Sequence, residues 1–274
     1  MRAGPLVAVA VLILAIAASA QAQVLLGLHP HVGDTLHTRL EQQTEVSASM
    51  PGNTSAPTQS VSSAVAILSR TIVRAATATH STVMTIVDSA MLTSTDEHAA
   101  TMIAEAQRSL RGQQLVLELG SDGTVLSARD VRGVLLPRDV ADAMSAMPAV
   151  FPKQAVSVGD QWHREMPLPA GGPLGARGSG HVRAVFRLDS LQRDGGVAYV
   201  SMHGDILPDS TREGVALSGS ISGTLQLDRL RGWMTDSRFV VLVRSLVNPP
   251  AATGLAPMRF VTKVTQRLRT MDKR

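Results

Sequence analysis

Two short boxes begin the two halves of this chain in the same way: Val32-Gly33-Asp34-Thr35-Leu36-His37 and Val158-Gly159-Asp160-Gln161-Trp162-His163. In each, a Gly-Asp pair of the kind that sets a tight turn is followed by alternating large apolar and polar residues, the pattern of a turn entering a strand. A second landmark recurs in the same order. Leu117-Glu118-Leu119, Gly123 and Arg129 match Leu225-Gln226-Leu227, Gly232 and Arg238, with each arginine six residues beyond its glycine. The first half is longer between its landmarks by about one short helix. The expected fold is therefore mainly β and antiparallel: two related β-meanders forming a curved sheet, a sandwich or a partly closed barrel, with two short helices. The halves are 24–157 and 158–274, and they are expected to form one domain.

Alternation places the strands. In the first box Leu36, Thr38 and Leu40 share one face while His37, Arg39 and Glu41 share the other, because side chains alternate with period two. Segments 64–73 and 80–91 are rich in Val, Ile and Thr and read as an antiparallel pair. Segments 115–119 and 124–129 flank Asp122-Gly123, a hairpin signal. In the second half, 181–189 and 197–206 flank Asp194-Gly195-Gly196, 215–228 and 233–247 flank Arg231-Gly232, and 258–271 is a last alternating strand. Segment 50–63 and the glycine-rich 171–180 read as loops; the latter has neither dinucleotide nor P-loop spacing. The period changes at 95–111, where Ala99, Met102, Ile103, Ala106 and Leu110 recur at helical steps, Thr95 or Asp96 caps the start and Gly112 ends it. A second short helix is expected at 138–147, between Pro137 and Pro148.

Residues 1–23 have the form of a secretory leader: Arg2, an apolar run from Leu6 to Ala18, then small residues before Gln23. The run is shorter than the ~20 residues of a spanning helix, so the expectation is an exported protein, periplasmic or secreted, with no transmembrane span once the leader is removed. Hydrophobic residues are 44% of the chain, charged residues 18% and aromatics 3%, so a core is affordable but must be aliphatic. There is no cysteine, which excludes disulfides, thiol catalysis and acylation at cysteine.

Catalytic and metal readings find little support. His37 and His163 hold equivalent places, but alternation sets each opposite the large apolar residue, and no third ligand stands at a metal spacing. Asp34 and Asp160 suit turns. Gly219-Ser220-Ile221-Ser222-Gly223 approaches a nucleophile elbow, yet its glycines do not bracket either serine. No catalytic residue, metal site or cofactor is assigned. The residues singled out for binding are basic: Arg183 and Arg187 on one strand, and Lys263, Arg267 and Arg269, with Arg259, on the last, which together would touch an anionic envelope surface. Nucleic acid is not the expected partner, because no aromatics interleave with the basic residues for base stacking. An outer-membrane barrel would need aromatic girdles and strands whose lipid face is free of arginine.

From Phe151 to Trp162 the sequence Phe-Pro-Lys-Gln-Ala-Val-Ser-Val-Gly-Asp-Gln-Trp resembles a group of uncharacterised bacterial exported proteins with a Pro-x-x-x-Val-x-Val-Gly-Asp-x-Trp signature, followed by a hairpin and a Gly-x-x-x-Gly strand ending in Asp. Those last elements are Gly219, Gly223 and Asp228 here. Many members look like lipoproteins; this chain lacks their cysteine. The resemblance implies an exported β-domain and no particular activity. In architecture, a curved sheet with short helices also resembles the half-barrels of periplasmic lipoprotein carriers. The functional expectation is a non-enzymatic β-domain holding a lipid, another apolar or amphipathic ligand, or a lipidated protein, with an envelope interaction module acting through the basic strand face as the alternative.

Overall fold

The computed structural model describes residues 23–50, 59–134, 136, 150–167, 180–208, 215–248 and 256–271. Eleven strands account for most of them: β1 (Thr35–Ser49), β2 (Gln59–Ala76), β3 (His80–Ser94), β4 (Gln114–Gly120), β5 (Val125–Asp130), β6 (Gln161–Pro167), β7 (Gly180–Gln192), β8 (Val197–Pro208), β9 (Val215–Asp228), β10 (Trp233–Val247) and β11 (Met258–Met271). Each strand expected from alternation is present. All lie in one antiparallel sheet with the order β5-β4-β3-β2-β1-β11-β10-β9-β8-β7-β6. The sheet is curved and not closed. Of the three arrangements that alternation allowed, the curved single sheet is the one formed.

The first and last strands join the two meanders, with Leu40 opposite Leu268 and Thr44 opposite Val264. From this seam β2 to β5 step outward on one side and β10 to β6 on the other, which makes two wings.

One end of the sheet, the base, is tightly tied. Its turns, 77–79, 121–124, 193–196 and 229–232, are three or four residues long, whereas the segments joining strands at the opposite rim, such as 50–58 and 168–179, are longer. Both Gly-Asp boxes lie at the base and share one set of hydrogen bonds. Gly33 and Gly159 have φ of 92° and 95°, which glycine adopts without a Cβ clash. The Asp34 carboxylate accepts from the His31 N–H at 3.1 Å, and the Asp160 carboxylate from the Ser157 N–H at 2.8 Å. Each box then exchanges two backbone bonds with the neighbouring strand, the first with Val73 of β2 and the second with Leu188 of β7. The two landmark strands, β4 and β9, are likewise the fourth strand of their halves.

The chain before β1 straps the base. Val24 exchanges backbone bonds with Val156, Leu28 N–H donates to Ser121 of the β4–β5 turn, and His29 N–H donates to Gly232 of the β9–β10 turn. One extended segment thus bridges both wings.

The expected helix at 95–111 is α1 (Ala100–Leu110), entered through a short 3₁₀ turn, Glu97–Ala99. Asp96 is the cap, its side chain accepting from His98 N–H at 3.0 Å. Strand β4 pairs only with the base half of β3, and α1 packs where β4 does not reach. The Gln107 amide oxygen accepts the Leu92 N–H there at 3.5 Å. The helix therefore covers a strand edge rather than the mouth of the sheet. The second expected helix at 138–147, the leader as far as residue 22, and 171–179 lie outside the described residues.

Candidate binding face

Register and alternation assign every strand residue to one of two faces. On the inner face two apolar cores form, one on each wing, the larger with three aromatic rings. The larger packs Trp162, Phe186, Leu188, Val200, Leu225 and Leu227 with Leu26 and Phe151, and the smaller packs Val73, Val83, Leu119, Val125 and Ala128. Leu28 of the strap touches both cores, so the wings bend toward each other on this side and the inner face is the concave one. Trp162 stacks on Phe186 with ring centroids 5.8 Å apart, and its indole N–H donates to Val150 O at 2.8 Å.

Between the cores lies a floor formed by β2, β1, β11 and β10. Its rows are read directly from the ladders: Ile67, Leu40 and Leu268 in one, then Val65, Gln42, Gln266 and Phe239, then Ser63, Thr44, Val264 and Val241. Leu40, Val65, Ile67, Val264 and Leu268 are half-buried and belong to neither core. Toward the base the inner hydroxyls satisfy one another, Thr38 with Ser69 at 2.7 Å and Thr71 with Thr85 at 3.1 Å.

Charge is segregated across these four strands. Among their described residues no inner-facing position is charged, while the outer face carries Arg39, Glu41, Glu45, Arg70, Arg74, Asp236, Arg238, Arg244, Arg259, Lys263, Arg267 and Arg269. A uniformly uncharged, half-exposed concave surface can take up hydrocarbon with little desolvation cost. It offers nothing to neutralise an ion.

The five basic residues expected to contact an anionic surface all face outward, but in two groups. Arg183 and Arg187 lie on β7, and Lys263, Arg267 and Arg269 lie on β11, with β8, β9 and β10 between them. Four are ion-paired: Arg183 with Glu165 at 3.7 Å, Arg187 with Asp189 at 2.7 Å, Arg267 with Asp236 at 2.7 Å and Arg269 with Glu41 at 3.8 Å. The hydrogen bond that Arg267 donates to the Asp236 carboxylate raises the Arg267 pKa further above its ordinary value. Lys263 stands opposite Glu45 across the β1–β11 ladder. His37 and His163 also face outward, on β1 and β6, with five strands between them in the sheet order. Ser220 and Ser222 lie within β9 on its outer side, in regular ladder positions rather than in a turn.

Two open grooves of ≈ 330 Å³ and ≈ 520 Å³ lie on the outer face. The first is lined mainly by the outward-facing Glu41, Gln43, Ala64, Ala66, Met91 and Arg267, with Gln42 and Val65 between them in the strands, and the second by residues that include Glu45, Ser47, Ser62, Leu242, Val261 and Lys263, with Val46. Each is lined mainly by small, apolar or uncharged polar residues, with one acidic and one basic residue, Glu41 and Arg267 in the first and Glu45 and Lys263 in the second. The concave floor, which sequence reading did not resolve residue by residue, is the better candidate. Counting by twos from Leu36 reaches Leu40 and Gln42, so the signal was present in the alternation.

No family model and no curated protein matches the chain. Among solved structures it is similar to lipovitellin, from a study titled for lipid–protein interactions, at 8% identity and a TM-score of 0.48, covering 88% of this chain and 25% of that one. It is also similar to DynF of the dynemicin pathway of Micromonospora chersina, at 9% identity, TM-score 0.24, and coverage of 93% of this chain and 88% of that one. The outer membrane protein OprG of Pseudomonas aeruginosa matches at 8% identity and TM-score 0.25, over 90% of this chain and 100% of that one. The chain spans about a quarter of the lipovitellin chain. At these scores the likenesses carry no argument about what this protein binds, and its functional reading rests on its own concave face.

Proposed function

We propose that this protein is a non-enzymatic β-domain of the cell envelope that holds an apolar or amphipathic ligand, or the acyl chains of a lipidated partner, on the concave face of its sheet. The observation that carries this reading is the segregation on β1, β2, β10 and β11: a half-buried, uncharged inner floor between two packed cores, backed by an outer face that holds the charges. An uncharged, largely apolar surface with a few polar groups is the usual starting hypothesis for a binding surface. The leader-like start of the sequence supports export, and among the described residues no helix is long and apolar enough to cross a membrane.

The test is titration with a long-chain pyrene probe, read by emission. Saturable binding is expected. Leu40→Asp, which sets a carboxylate on the floor, is expected to weaken it at least tenfold, whereas Ala66→Asp, on the outer side of the neighbouring strand, leaves it unchanged. Equal effects of the two substitutions, or no saturable binding, would contradict the reading.

One observation favours a second reading, contact with an anionic surface. On the outer side of β10 and β11, Arg238, Arg244, Arg259 and Lys263 have no carboxylate within ion-pair distance among the described residues, and Arg238 stands directly opposite Arg267. This favours a contact at the seam over one at Arg183 and Arg187. It predicts binding to anionic vesicles that weakens as salt rises; salt-independent or absent binding removes it.

A further inference from the structure

Among the inner-facing polar side chains of the concave floor, two primary amides stand side by side with most of their hydrogen-bonding capacity unused by the described residues. Gln42 and Gln266 stand directly opposite each other across the β1–β11 ladder, both half-buried and both on the inner face. Val65 and Phe239 flank them in the same row, and Ile67, Leu40 and Leu268 form the row beneath. Each primary amide offers two N–H donors and a carbonyl acceptor. The Gln42 amide has one long bond, donated to Thr44 Oγ1 at 3.4 Å. The Gln266 side chain makes none among the described residues. This contrasts with the hydroxyls nearer the base, which are paired at 2.7 and 3.1 Å. Side-by-side amides between apolar rows, with free donors, resemble the few oriented polar groups that give an otherwise apolar site its selectivity.

Resting on the reading of the concave face as a binding surface, we infer that the Gln42–Gln266 pair recognises a neutral carbonyl linkage, that of an acyl ester, in a ligand whose hydrocarbon lies along the floor. A carbonyl oxygen accepts the amide N–H bonds without bringing charge. A carboxylate or phosphate at the same place would need a cation, and none of the inner-facing described residues of β1, β2, β10 and β11 supplies one. From Gln42 to Ala48, near the rim end of β1, six residues of strand span ~20 Å. That leaves room for an extended chain above the amide row. Any charged part of the ligand then projects past the rim.

The experiment compares three probes on the purified protein: methyl 12-(1-pyrenyl)dodecanoate, 1-dodecylpyrene, which lacks the ester, and 12-(1-pyrenyl)dodecanoic acid as its carboxylate. The ester is expected to bind about five- to thirtyfold more tightly than the hydrocarbon, the range of one or two net hydrogen bonds, and the carboxylate more weakly than the ester. In Gln42→Leu/Gln266→Leu the ratio of ester to hydrocarbon affinity is expected to fall to near one. The wild-type ratio is decisive even if the double variant folds poorly. Saturable binding with equal affinity for ester and hydrocarbon overturns the amide assignment and leaves the concave-face reading standing, as does a preference that survives the double substitution. No saturable binding of any probe overturns both.

Discussion

At the scale of single residues, the alternation rule resolves faces well and partners poorly. Trp162 was expected inside because it alternates with His163, and it is 8% exposed, stacked on Phe186 and hydrogen-bonded to Val150 O. Trp162→Ala removes the stack and leaves a cavity under β6. It is expected to cost roughly 3–5 kcal/mol, read as a shift in the urea midpoint. The arginines show the opposite limit. Their outward orientation was legible, but Asp236, Glu41 and Glu165, which pair with three of them, lie on neighbouring strands, so their neutralising effect was not visible before register was known. Gln42 was hidden for a different reason: a polar residue at an inward position looks like the end of an amphipathic pattern until its opposite number, Gln266, is found beside it.

At the scale of elements, turns were the most legible part of the structure because they depend on local chemistry. The Gly-Asp boxes form the same carboxylate-to-amide bond and the same pair of ladder bonds at both sites. Asp34→Ala and Asp160→Ala are each expected to cost roughly 1 kcal/mol. Because the boxes lie on different wings, the two losses should add within a few tenths of a kcal/mol in the double variant. The strap could not be anticipated, since Val24, Leu28 and His29 find their partners one residue at a time and leave no periodic trace. Gly232 is its most sensitive anchor: at φ 60° it lies against the His29 backbone, and an added Cβ would meet His29 O. Gly232→Ala is expected to free the strap, seen as faster hydrogen exchange at the Leu28 and His29 amides with little change at Ala198 in the core. Unchanged exchange would show that Val24 and Ser121 hold the strap without it.

At the scale of the whole molecule, the strand count and antiparallel sense followed from pattern, but strand order did not. Two meanders could have stacked as a sandwich. Instead the pairing of β1 with β11 lays them side by side, and one long sheet has too little covering chain among the described residues to bury its central floor. That shortage is the physical origin of the proposed function. The wings make their own cores, and the seam between them is left apolar, uncharged and half-exposed. The most direct measurement is mass spectrometry of an organic extract from protein expressed with residues 1–23 in place and purified without detergent. A near-stoichiometric ligand with long hydrocarbon chains and a neutral ester linkage is the predicted result, lost in Leu40→Asp. An empty extract from folded, wild-type protein would contradict the account.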